Sequence, residues 1–87
     1  MYKVLWTETT DNLFSRGRSA LVLIGRQHYW FDLRDTPDAG VECMGFTCNK
    51  DGDISCGRDV YCRRGGPVST LALMECIKEF AEELENG

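Results

Sequence analysis

The sequence lacks most of what identifies a protein at sight. It has no run of about 18 or more apolar residues, the length a membrane-spanning helix needs. Its apolar N-terminal stretch, Tyr2 to Trp6, runs at once into Thr7, Glu8 and Asp11, which is too short for the apolar centre of a secretory signal. The expected compartment is therefore the cytoplasm. There is one histidine, His28, and there are two prolines. No nucleophile-elbow serine, P-loop or dinucleotide fingerprint is present. Gly65-Gly66 stand before a helical pattern but lack the downstream Gly-Lys-Ser/Thr, so they read as a plain connection. No internal repeat and no low-complexity segment occurs.

An excess of positive charge is also missing. Nine Lys/Arg and nine Asp/Glu cancel over residues 1–74, and residues 75–87 carry five Glu against Lys78, so the net charge of −4 lies wholly on the C-terminal segment. A general nucleic-acid binder carries the opposite excess. Glu82, Glu83 and Glu85 would sit at a helix C-terminus, where the dipole favours cations. Helix stability does not account for them. Solubility does, and a basic partner or mimicry of a phosphate backbone would too.

What is present indicates one small domain, residues 1–87. At 43% apolar and 28% charged residues the composition is that of a globular chain rather than a disordered one. The densest apolar stretch, Ala20 to Arg34, has the form of a β-hairpin with Gly25-Arg26 as its turn; glycine at the first central position suits type II′. One face then carries Ala20, Val22, Ile24, Tyr29, Phe31 and Leu33, and the other Leu21, Leu23, His28, Trp30 and Asp32. Tyr2–Trp6 reads as a first strand. Residues 7–18, rich in Thr, Asn, Ser and Gly, read as a long loop. Thr36–Gly40 forms a turn, Val41–Cys48 a further strand, and Asn49–Asp53 a second turn carrying Asp-Gly. Ile54–Cys56 begins a return strand that Gly57–Asp59 breaks, with Val60–Arg63 as its continuation or a separate edge strand.

From Ser69 the period changes to 3.6. Leu73, Ile77, Phe80 and Leu84 share a face flanked by Cys76 and Ala81, with Ser69 as N-cap and Val68 and Leu73 spaced as a hydrophobic staple. The expected helix runs from Thr70 to Leu84. The fold class is α+β: an antiparallel sheet of three to five strands, mostly a meander, with one C-terminal α-helix packed on one face.

Five cysteines, an odd number, are present. They read as free thiols behaving as small hydrophobes. From Cys43 to Cys62 the gaps hold four, seven and five residues, and only the first matches the close pairing of a structural zinc site. Thr47 to Arg58 superficially resembles a calcium loop, but it has Thr and Arg where the first and last carboxylates belong. His28 beside a cysteine and the cluster Asp32, Asp35 and Asp38 are the remaining catalytic candidates, and neither has an orienting group in the sequence. No enzyme activity, metal or cofactor is expected.

One helix covers only one face of a sheet. Leu21, Leu23, His28 and Trp30 therefore form the expected interface, since exposed apolar patches mark sites of contact. Their cover is a protein partner or second copy, the 7–18 loop with Leu13 and Phe14 folded across, or a small ligand. The reading taken is a non-enzymatic protein-interaction or regulatory module, homodimeric through the hairpin face. The alternative is a single-stranded nucleic-acid-binding module using Arg16, Arg18, Arg63 and Arg64 beside Trp6, Tyr29 and Trp30.

Overall fold

The computed structural model describes residues 1–13, 15–38 and 40–87, and the side chains of these apart from residues 55–57. The elements are β1 (Tyr2–Asp11), β2 (Arg16–Ile24), β3 (Gln27–Thr36), β4 (Gly40–Cys48), β5 (Ile54–Arg64) and α1 (Thr70–Asn86). The strands form one antiparallel sheet in chain order, β1-β2-β3-β4-β5. The α+β meander with a single C-terminal helix is the architecture read from the sequence.

The central hairpin keeps its expected register. Val22 pairs with Tyr29 and Ala20 with Phe31, and Gly25 takes φ +64° while among the described residues no non-glycine residue, Arg26 included, has positive φ, as a type II′ turn requires. The inner face, Ala20, Val22, Ile24, Tyr29, Phe31 and Leu33, is buried against Leu73, Cys76, Ile77, Phe80 and Ala81 of α1. Tyr29, Phe31 and Tyr61 surround Phe80 with ring centroids 5.1, 5.7 and 5.8 Å away, all near edge-to-face, the geometry the ring quadrupoles favour. Helix α1 starts where Ser69 Oγ accepts a hydrogen bond from the Ala72 amide at 3.0 Å. Val68 is half-buried and Leu73 buried, in keeping with the staple.

Several expectations change. Residues 7–18 are not a long loop: Thr7–Asp11 continue β1 and pair with Ala20–Arg16, leaving only residues 12–15 as the connection. Strand pairing satisfies this backbone, and Thr, common here, fits a pleated edge well. The described residues of the segment therefore do not fold over the sheet, and Leu13 is 96% exposed; Phe14 lies outside the described residues, as does Ala39 of the Thr36–Gly40 turn. Strand β5 is not broken at Gly57–Asp59. It runs through from Ile54 to Arg64, its register with β4 shifting between Gly45 and Phe46 and again between Phe46 and Cys48, so bulges absorb the extra residues. The helix extends to Asn86, and Leu84 is 45% exposed instead of joining the core.

Candidate functional site

The candidate site is the outer face of the sheet, opposite α1. In antiparallel pairs, residues directly across from one another point the same way. Trp6 pairs with Leu21, Leu21 with Trp30, and Trp30 with Phe46. One apolar row therefore crosses four strands. Trp6 and Trp30 reach over Leu21 to meet, centroids 5.6 Å apart and planes tilted by 31°. Leu21, Trp30 and Phe46 are half-buried and Trp6 is 50% exposed. No other element of the described structure lies over the row as α1 does over the inner face. The turn at 49–53 touches its margin: a Cβ on Gly52 would stand 3.5 Å from the Trp30 ring.

The rows on either side differ in character. One contains Lys3, Leu23, His28, Cys48 and Ile54. The other contains Glu8, Ser19, Asp32, Met44 and Cys62, and beyond it lie Thr10, Gly17, Arg34, Glu42 and Arg64. The polar end is internally satisfied: Ser19 Oγ donates to Asp32 Oδ1 at 2.9 Å, Arg34 Nε meets Asp32 Oδ2 at 2.5 Å, and Arg64 Nε lies 3.4 Å from Glu42. The face is thus an apolar band with an ion-paired margin.

No family model, curated protein or solved structure matches the chain. Function must be argued from the face itself.

The four expected interface residues, Leu21, Leu23, His28 and Trp30, do come together as adjacent cross-strand pairs, each half-buried. Trp6, Met44 and Phe46 also belong to the patch, and sequence reasoning did not place them there. The signal was the alternation in β4, with Glu42, Met44 and Phe46 outward and Cys43 and Gly45 inward. A glycine facing inward and a phenylalanine outward hid it. Gly45 faces in because there is no room for more: a Cβ there would lie 2.9 Å from the Phe31 ring and 3.1 Å from Tyr61 Cβ.

The register sets His28 opposite Cys48. Burial, and then the charge of Asp53, push the Cys48 thiol up, the reverse of what an activated nucleophile needs. The calcium-like segment is a hairpin turn: Asn49 Oδ1 accepts the amides of Asp51 and Asp53, and the Gly52 amide bonds the Asn49 carbonyl. Among the described residues no cluster of three or more metal-ligating side chains forms, and the Cys56 side chain lies outside them. A hollow of about 310 Å³ beside Leu23 is lined by Met1, Tyr2, Lys3 and Gly25, with no convergent set of polar groups to orient a ligand.

The two arginine pairs lie toward the same end of the sheet, Arg16, Arg18 and Arg63 on the helix side and Arg64 on the outer face, and three of the four already meet carboxylates. Arg18 grips Asp11 through two hydrogen bonds of 2.7 and 3.2 Å, Arg63 meets Glu79 at 3.0 Å, and Arg64 faces Glu42. Arg16, exposed, stands opposite Asp11 in the register. No helix is long and apolar enough to cross a membrane.

Proposed function

We propose that this chain is a non-enzymatic, cytosolic protein-interaction module whose outer sheet face packs against a second copy of itself. The observation that carries the reading is the uncovered row Trp6–Leu21–Trp30–Phe46. Two sheets stack face to face about 10 Å apart with their side chains interdigitated, and a row of large apolar groups crossing four strands supplies such a layer. Charge favours a like partner. The margin carries both signs, as Lys3, Arg34 and Arg64 with Glu8, Asp32 and Glu42, while the −4 excess sits in the C-terminal segment. That segment is α1, behind the sheet, so two copies joined by their outer faces keep their acidic helices apart. Sedimentation equilibrium at micromolar concentration tests this. The expected result is a dimer that Trp6→Ser with Trp30→Ser converts to a folded monomer; a wild-type monomer at every concentration overturns it.

The alignment of Trp6, Trp30 and Phe46 on an open sheet also supports the second reading, a stacking platform for single-stranded nucleic acid, with aromatic contacts each worth roughly 1–3 kcal/mol. Of the arginines, Arg64 lies on this face and would supply a phosphate contact in competition with Glu42, whereas Arg18 and Arg63 share the helix-side rows of Leu33 and Cys43, and Arg16, two residues from Arg18, lies on that side too, which weighs against this reading. This reading requires retention on single-stranded DNA at low salt that weakens as salt rises and on Arg64→Ala or Trp30→Ser.

A further inference from the structure

The charges of the outer face differ in their surroundings. Asp32 is held by Ser19 and Arg34, and Glu42 by Arg64. Lys3 and Glu8 of β1 are exposed, and neither is in an ion pair with another described residue. Lys3 pairs with Leu23 and Glu8 with Ser19, so they stand in the two rows that flank Trp6–Leu21–Trp30–Phe46. On β3 the same two rows hold His28 and Asp32, half-buried, one on each side of Trp30. The bulge between Val4 and Trp6 makes the match on β1. Lys3 and Glu8 are five positions apart, and unbroken alternation would put them on opposite faces; the extra residue brings them onto one. On both strands the apolar row therefore has a nitrogen donor on one side and a carboxylate on the other.

We infer that the twofold axis relating the two copies runs along this apolar row, across the strands, so that Lys3 of each copy meets the partner's Glu8 and His28 meets the partner's Asp32. The inference rests on the face-to-face dimer proposed above and adds its orientation and the residues that select the partner. Two copies joined isologously by their outer faces are related by an axis lying in the plane between the sheets. Aligned packing leaves that axis nearly along the strands or nearly across them. An axis along β3 would set Asp32 over the partner's Asp32 and Arg34 over the partner's Arg34, with Lys3 over the partner's Ile54 and Glu8 over the partner's Cys62. Like charges would meet at the centre, and Lys3 and Glu8 would stay unpaired. An axis along the row instead keeps each strand over its own copy and exchanges the two flanking rows. The large apolar groups then pack about the axis itself, and opposite charges meet on both sides of it. The like-charge approaches that remain are Asp59, opposite Phe46 at the end of the row, and Arg34 toward the partner's Arg26. These side chains are exposed at the rim, where solvent and salt screen them. Sheets about 10 Å apart are within the combined reach of a lysine and a glutamate side chain. Charges at such a margin fix register and exclude wrong partners more than they add affinity.

The test is made between chains, with the full-length protein and sedimentation equilibrium. Lys3→Glu sets two carboxylates at each of the symmetry-related meetings, and Glu8→Lys sets two ammonium groups there. Each variant alone should raise the dimer dissociation constant about five- to tenfold, because an exposed ion pair is weak but each change recurs in both halves of the dimer. An equimolar mixture of the two variants should return to within about twofold of the wild type, since the mixed dimer again has opposite charges at every Lys3–Glu8 meeting. The chain carrying both substitutions should do the same. In salt of about 1 M the differences should largely vanish. His28→Lys should keep the dimer and His28→Glu should weaken it, an effect that edge-to-edge pairing of two β1 strands would not produce. Melting of each variant separates misfolding from lost association. A wild type that is monomeric at every concentration overturns this inference together with the reading beneath it. A wild-type dimer whose Lys3→Glu and Glu8→Lys variants gain nothing on mixing leaves the face-to-face dimer standing and overturns the orientation.

Discussion

At the scale of single residues the core leaves little freedom. Gly45 is the clearest case: the space a methyl group would need is already filled by Phe31 and Tyr61. Gly45→Ala should destabilise the fold by about 1–3 kcal/mol through overpacking, read as a lower urea midpoint with unchanged slope. The thiols add a pH dependence. Cys76 is lowered from 9.0 to about 6, first by its hydrogen bond with Cys43. A thiol more acidic in the folded than the unfolded state stabilises fully above its unfolded value and loses that contribution as pH falls to the folded one. Cys43 is raised, so its contribution is full below the ordinary thiol range and fades above it. The urea midpoint of the wild type, relative to Cys76→Ser, should rise from pH 6 to 9. A parallel course for the two proteins would refute the assignment. The sequence read all the cysteines as small hydrophobes, which holds for the buried Cys43, Cys48 and Cys76 but not for the exposed Cys62.

At the scale of elements, legibility followed the strength of the periodic signal. The hairpin and helix α1 were readable because Ala20–Leu33 alternates with a clear inner face and Leu73, Ile77 and Phe80 recur at helical spacing. The cap was readable for a local reason, a serine ahead of an apolar periodic run. Ser69→Ala should cost the helix about 1 kcal/mol, seen as a fall in thermal midpoint with the native far-ultraviolet spectrum retained. The second half of β1 was unreadable. Thr7 to Asp11 are all exposed on an edge strand, so neither face imposes alternation, and Thr, Asp and Asn equally suit a loop. A bulge between Val4 and Trp6 also shifts the phase of the pattern. In β5 the glycine at 57 suggested an end, where the chain instead takes an irregular register and carries on.

At the scale of the whole molecule, the sequence indicated a sheet with two apolar faces and one helix to cover them. The structure extends that surplus from a hairpin to a row crossing four strands. What the sequence could not supply was the row itself, since Trp6, Leu21, Trp30 and Phe46 are joined only by the register of three strand pairs. The order of those strands has a kinetic consequence. Each strand lies beside its successor, and the connections span only residues 12–15, 25–26, 37–39 and 49–53. Every sheet pairing can therefore nucleate by closing a short loop, whose entropic cost is small. The docking of α1 on β2 and β3 is the step that joins distant parts of the chain. An all-local meander should thus fold quickly for a protein so rich in strands, in a single phase of milliseconds rather than seconds. Stopped-flow tryptophan fluorescence at a protein concentration where sedimentation shows a monomer would measure it, and a dominant phase of seconds would mean that helix docking, and not sheet formation, sets the pace.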